Sequence, residues 1–405
     1  MKAVIAALAA VLSLGAAPAP SPGSAPVALK TLLARAPAQT LGEYHLFTDD
    51  GAQHPNAGVT PYALNTPLFS DYAEKQRFLY LPPGTKARFR PTGALDLPVG
   101  ATLIKTFAYP ADFRRPGEKV RMLETRLLIH RRSGWVAQTY VWNAEQTEAR
   151  LKRAGTRIDV SFVDAKGQDR QIDYRVPNTN QCKECHSLSG RIAPIGVKAR
   201  NLNGDFAYAE GRENQLAHWT RTGMLTGAPA PDKSPRTARW DDPSEPLDAR
   251  GRAYLDGNCG HCHNPHGMAS NTGLFLDLEE ARAVKIGVGK RPVAAGKGSG
   301  DLEVDLVPGH PDASIIAYRM ASTDPGVMMP ELGRSVVHDE GLALVRDYIA
   351  RMQKPYGRID ICNAARGYRS QSPSSRPQRS GEPGPRGFLQ CGHPWVPARP
   401  YGRPG

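Results

Sequence analysis

Arg121-Met-Leu-Glu-Thr-Arg-Leu-Leu-Ile-His130 and Trp135-Val-Ala-Gln-Thr-Tyr-Val-Trp142 are two β-rich runs joined at Ser133-Gly134, and together they read as a hairpin. Working outward, Ala101 to Tyr109 follows the Pro98-Val99-Gly100 turn as a further strand. Downstream, Ile158-Asp-Val160-Ser-Phe162 alternates strictly, Lys166-Gly167 turns the chain, and Ile172-Asp-Tyr174-Arg-Val176 alternates again. Several antiparallel strands in about 130 residues predict a small sandwich or open barrel over residues 44–178.

Pro177 ends the last of these strands and delivers the chain to Cys182-Lys183-Glu184-Cys185-His186. A second sequence of the same form, Cys259-Gly260-His261-Cys262-His263, follows later. C-x-x-C-H is the attachment pattern for c-type haem. Two thiols three positions apart add across the two vinyl groups of one porphyrin, and the following His reaches the iron as its proximal ligand. The pattern therefore predicts two covalently attached haem c groups, held by Cys182, Cys185 and His186 and by Cys259, Cys262 and His263. A zinc ribbon needs its C-x-x-C pairs about 15 to 20 residues apart and leaves each trailing His unexplained. A thioredoxin-like dithiol needs a βαβ context that the flanks do not show. Two disulfides are the remaining alternative.

Glu213 to Thr222 reads as a short helix ending at Gly223, and Asp248 is placed to cap a helix running into Asn258 and the second motif. Asp339 is placed to cap a last helix, in which Leu342, Val345, Ile349 and Met352 form one apolar stripe. A helix entering C-x-x-C-H, a long loop with a Met, and a terminal amphipathic helix are the parts expected of a small cytochrome c domain. The fold class expected is α+β and multidomain, with an N-terminal antiparallel β-rich domain, a short haem segment and an all-α cytochrome c-like domain. The expected boundaries are 1–19 for a signal peptide, 20–43 for a linker, 44–178 for the β-rich domain and 179–230 for the first haem segment. A linker at 231–246, the second haem domain at 247–353 and a disordered tail at 354–405 complete the division.

Composition narrows the function. The chain has 405 residues, with Gly 40 and Pro 36, a loop-rich usage, and a mean hydropathy of -0.45. No apolar run beyond the N-terminus reaches the roughly 18 residues a spanning helix needs. The formal charge of +13 is concentrated in part in residues 355–405, where eight Arg face only Asp360 and Glu382. The remaining modest excess suits docking an acidic protein better than gripping nucleic acid. Met1-Lys2 and the apolar stretch Ala3 to Ala17 read as a Sec-type signal peptide, which places the mature protein in the periplasm. Residues 355–405 are rich in Pro, Gly, Ser and Arg, so disorder is expected, and the runs at 372–377 and 381–386 look like out-of-frame translation of a GC-rich gene. A Cys362–Cys391 disulfide is the alternative if this tail folds.

Several side chains need weighing. Met224 and His218 are alternative distal ligands for the first iron, and an open sixth position is the third possibility. Met329 in Pro325-Gly326-Val327-Met328-Met329-Pro330 lies where small cytochromes c carry their distal Met, with Met328 as the runner-up. His261 points away from its own iron, His266 and His310 read as loop residues, and Gly296-Lys-Gly-Ser-Gly300 as a flexible insert. Arg319 reads as a surface residue or a propionate partner.

The block Tyr62-Ala-Leu-Asn-Thr-Pro-Leu-Phe-Ser-Asp-Tyr72, the strand Val99 to Phe107, Tyr140-Val-Trp-Asn143, Asn178 to His186, Cys259 to His263 and Val327 to Gly333 together resemble a proteobacterial family of exported dihaem c-type cytochromes. The resemblance runs from about Tyr44 to Met352 and ends near Tyr356. It favours Met329 as distal ligand and implies electron carriage, often alongside a partner of parallel β-helix type; it supplies no substrate. Two function classes follow. The favoured one is electron transfer between redox partner proteins, and the alternative is a peroxidase-like dihaem oxidoreductase whose first haem keeps an open position.

Overall fold

In the computed structural model, which describes residues 25–294 and 296–353, the predicted hairpin forms the middle of a six-stranded antiparallel sheet. Its strands are β1 (Val59–Pro61), β2 (Glu74–Tyr80), β3 (Thr102–Tyr109), β4 (Arg121–Arg131), β5 (Gly134–Trp142) and β6 (Ala149–Leu151), each beside its neighbour in sequence. Only β4 and β5 are joined by a tight turn, and longer connections return the chain to the adjacent edge each time, the pairing of sequence neighbours that antiparallel sheets favour. The alternating runs at 156–176 form a separate hairpin, β7 (Thr156–Val163) and β8 (Asp169–Val176). The result is an open sheet with a hairpin, in place of the expected sandwich or barrel.

Alternation sends the side chains to two faces. On one face Phe78, Tyr80, Ile104, Leu127, Ile129, Tyr140 and Trp142 are buried beneath Leu32, Leu41, Tyr44 and Leu46. The covering segment includes helix α1 (Leu29–Leu33), held where Arg131 Nε donates to the Leu32 carbonyl at 3.0 Å. The order near Tyr44 anticipated for the start of the fold thus begins earlier: the Pro/Ala-rich composition of residues 20–43 masked the few leucines that fill this face. On the other face, Leu79 and Leu81 pack with Leu202, Leu216 and Trp219 at one end. Phe107, Tyr109 and Leu123 meet Val160, Phe162, Ile172 and Tyr174 of β7 and β8 at the other.

The expected all-α cytochrome c-like domain is not present. The described chain is mostly β-sheet, with eight short helices and 23% helix. Helices α4 (Leu247–Asn258), α5 (Ile315–Ala321) and α6 (Asp339–Arg351) pack together through Leu255, Ile316, Leu344, Val345 and Ile349. Between Cys259 and Ser314, however, repeated Gly and Pro limit helix to the four residues Ala283–Ile286 and single 3-10 turns, and the chain otherwise makes loops with parallel bridges Val288↔Leu306 and Val304↔Ser314. Nor are the caps those expected. Pro246 and His338 occupy the N-cap positions, and Asp248 and Asp339 lie in the first turns, where a carboxylate favours the helix dipole.

The multidomain expectation is also corrected, because the described residues belong to one unit. The stretch from Asn65 to Asp71 knits it together. Asn65 Nδ2 donates to the carbonyls of Asn203 and Thr237, both at 3.0 Å, and Thr66 Oγ1 to that of Ala238 at 2.7 Å. The Phe69 amide donates to Asn258 Oδ1 at 2.7 Å, while the Asp71 carboxylate accepts from the Ser335 amide at 2.6 Å and the Val336 amide at 3.1 Å. Burial of a polar side chain is tolerated when each atom finds a partner, and here the partners come from opposite ends of the chain. No helix among the described residues is long and apolar enough to cross a membrane. The predicted signal peptide and tail, with Cys362 and Cys391, lie outside the described residues.

Candidate functional site

The first motif lies on helix α2 (Thr179–His186), whose start is written in the sequence. Asn178 Oδ1 accepts from the Asn180 and Gln181 amides, and Gln181 Oε1 accepts from the Asn178 amide at 3.0 Å, a reciprocal capping box. The second motif continues from α4. Cys259 ends that helix, and the Cys262 and His263 amides donate to the Cys259 carbonyl at 3.1 and 2.9 Å, a tight turn that folds the motif over itself. Gly260 is required there, because a Cβ would stand 2.9 Å from the Asp256 carbonyl oxygen and from the Asp277 Cα.

All four cysteines are free thiols, so neither motif closes a disulfide in the structure. The two motifs, far apart in sequence, meet at their second cysteines. The Cys262 thiol hydrogen-bonds the Cys185 sulfur, and Cys262 Sγ also lies 3.6 Å from the Glu184 carbonyl. That shared bond, with His261 nearby, holds one thiol of the pair below the ordinary range and pushes the other above it. Burial raises Cys182 and pushes Cys259 up to about 12. A second link joins the motif segments where the Ser189 amide donates to the His266 carbonyl at 2.8 Å.

Both motif histidines are half-buried, and desolvation brings each down to about 4. His186 Nδ1 sits 2.9 Å from the Ala193 carbonyl, which makes Nδ1 the protonated nitrogen and leaves Nε2 with its lone pair. His263 is held likewise, by the Leu274 backbone and by Thr272 Oγ1 at 3.4 Å from Nδ1. Orientation of a ligating imidazole through its other nitrogen is the arrangement a metal centre uses.

A cavity of about 740 Å³ opens beside the second motif. Cys185, Cys259, Cys262 and His263 line one part of it, and Met320, Met329 and Arg319 line another. The volume lies in the range of cofactor pockets, and the walls are largely apolar with a few directed polar groups. Met329 is placed in this wall by the Arg334 guanidinium, which donates to its carbonyl at 2.9 Å, and by its own amide, which donates to the Arg319 carbonyl at 3.1 Å. Met328 is 3% exposed and packs away from the cavity. These residues fit the group that the motifs imply: two thiols, an oriented imidazole and a facing thioether around one apolar space. Among the described residues no three His, Cys, Asp or Glu side chains converge on a point, an arrangement a porphyrin does not need because its ring supplies four nitrogens.

The candidates for the first iron are engaged locally. Met224 packs against the cluster containing Trp219, and its sulfur accepts from Thr60 Oγ1 at 3.2 Å. His218 stacks on Tyr208 with ring centroids 3.5 Å apart, and its Nδ1 lies 3.0 Å from Glu213 Oε2. Arg319 proves to be a cavity residue, with Nε donating to the Val327 carbonyl at 2.8 Å. His261 also faces the cavity, where its Nδ1 is buried without a partner. Sequence reasoning missed Met320 and Met268, further thioethers in the cavity wall, since neither a Met within an apolar helix nor one in a loop carries a distinguishing signal. It also missed Lys75, Arg77, Lys105 and Arg126, which alternate along their strands as solvent-facing residues do and yet lie on the face near α2. Compared with protein-family models, with curated proteins and with solved structures, the chain matches none.

Proposed function

We propose that the protein is an exported dihaem c-type cytochrome of the periplasm that carries electrons between redox partner proteins. The observation that carries this reading is the contact between Cys185 and Cys262, which brings two C-x-x-C-H sequences to one place. Two attachment motifs in contact suit passage of electrons between centres. Bound haem supplies a one-electron iron couple.

The chain's own residues do the rest. His186 offers Nε2 because its Nδ1 is held by the Ala193 carbonyl, and His263 has its Nδ1 turned to Thr272 Oγ1. Leu274, Leu276 and Ile316 in the cavity wall keep water from the second centre, and Met329 offers a thioether, a ligand that raises an iron potential. Mass spectrometry of the denatured protein, produced in a host with working cytochrome c maturation, should show two haem additions per chain. Recovery of a fully reduced apoprotein from that host overturns the reading.

A dihaem oxidoreductase with an open coordination position at the first haem is the second reading. It is favoured by the local engagement of Met224 with Thr60 and of His218 with Tyr208 and Glu213. A high-spin ferric signal from one haem in the EPR spectrum of the oxidised protein would select it.

A further inference from the structure

Four cations crowd the sheet face near the first motif. Arg77, Lys105 and Arg126 are direct cross-strand neighbours on β2, β3 and β4, and Thr139 of β5 ends the row. In the next row Lys75 stands opposite Phe107, and Phe107 opposite Glu124. The Phe107 ring has the Arg126 guanidinium 4.2 Å, Lys105 Nζ 4.7 Å and Lys75 Nζ 5.9 Å from its centroid.

Like charges placed directly opposite weaken a sheet, so this arrangement needs an anion. Glu124 is the carboxylate among them, and it is fully buried and already committed. It accepts from Arg126 Nε at 2.8 Å and from Tyr174 Oη at 2.6 Å. Arg77 Nη1 finds the Lys75 carbonyl at 3.0 Å, and Lys75 Nζ finds that of Ala73 at 3.3 Å. Lys105 Nζ has no hydrogen-bond acceptor among the described residues. Helix α2, which carries Cys182, Cys185 and His186, packs on β5, the strand whose Thr139 ends this row.

We propose that the Arg77–Lys105–Arg126 row with Lys75 is a carboxylate-binding site serving the first motif, its ligand being the propionate groups of the haem attached at Cys182 and Cys185. The inference rests on the haem reading above for that source. Its chemistry is that of carboxylates in general, because two planar guanidinium forks and two ammonium groups outnumber the one internal acid. A porphyrin brings two propionates on the same molecule that the thiols anchor.

The test uses the full chain matured in a host that attaches haem, comparing wild type with Lys105→Met and Arg77→Leu/Lys105→Met. Haem stoichiometry, the potential of each haem, and the Soret response to added succinate are read. With propionates in the row, both haems stay attached, one potential falls while the other holds, and succinate changes nothing. The fall follows because a removed cation favours the ferric state. With a diffusible carboxylate in the row, wild type instead gives a saturable Soret shift with succinate that the variants lose. Lys105→Arg should restore the wild-type behaviour in either case, and Lys105→Gln replaces Lys105→Met if the latter does not fold. Potentials and succinate responses identical in wild type and variants overturn the site. A wild type without haem overturns the functional reading instead; succinate binding to it by calorimetry, lost in Lys105→Met, would still support the row, and no binding would overturn it.

Discussion

The two C-x-x-C-H sequences share one pattern and occupy opposite environments. The first rides on a capped helix near a polar sheet face that holds four cations and a buried acid. The second turns out of a helix into a largely apolar cavity with three methionines, Met268, Met320 and Met329, in its wall. The contrast teaches that the motif specifies attachment, while the elements facing it specify what the attached group can do. An electrostatic surround tunes a centre through charge, and an apolar surround with a thioether tunes it through ligand and dielectric.

The largest test removes one side of the contrast. Cys262→Ser should drop haem content from two per chain to one, read by pyridine haemochrome assay, and leave the first haem's spectrum intact. Loss of both haems would show that the motifs mature as a unit. Next comes the pair of methionines. Met329→Ala should lower the potential of one haem and abolish the thioether-to-iron absorption band, with little change in melting temperature. Met328→Ala, which removes a buried side chain, should destabilise the fold by about 2–5 kcal/mol and leave the potential alone. Reversal of those two phenotypes would move the ligand to Met328.

A smaller effect concerns the touching thiols. In protein made without haem attachment, Cys262 lies against the first motif at Glu184 and Cys185, so mild oxidation should cross-link Cys185 to Cys262 rather than to Cys182. Peptide mapping identifies the pair, and a Cys182–Cys185 bond would break the picture of joined motifs. Smallest is an acid effect near the second motif. His338 stacks on Phe69 at 4.1 Å and has its Nδ1 2.8 Å from Tyr254 Oη, and burial brings it from 6.5 down to about 4. Between those values the unfolded chain binds a proton that the folded chain refuses, so stability is full above about 6.5 and falls as pH drops toward 4. Replacing His338 by Gln should flatten that acid limb in urea titrations at several pH values; an unchanged slope would assign it to other groups.

Much of the front half was legible because strand periodicity is local: Thr102–Tyr109, Arg121–Arg131, Gly134–Trp142 and the Thr156–Val176 hairpin lie where alternation and turn residues put them. The motifs were legible for the same reason, since three positions of spacing carry the chemistry. The second half misled because helix α4, a loop with Met and helix α6 were read as a small helical domain, while the Gly and Pro between them decide for loops. What no local pattern contains is the meeting of Cys185 with Cys262, or the position of Lys105 and Arg126 near α2. Alternation says which residues share a face but not what later lies over it.

The carboxylate of Asp71 has a consequence for the order of events in the life of the chain. Its partners at Ser335 and Val336 lie 264 and 265 positions later. A chain made from its N-terminus therefore completes this contact only when nearly all the described sequence exists, and contacts of such long separation form slowly. The segment they anchor carries Met329 into the cavity wall. Until it docks, Cys259 and Cys262 face an incomplete enclosure, so on the haem reading proposed above the interval before docking would be the time in which an attaching enzyme reaches those thiols. Asp71→Ala would prolong that interval, making the loop that closes the cavity a timer as well as a wall.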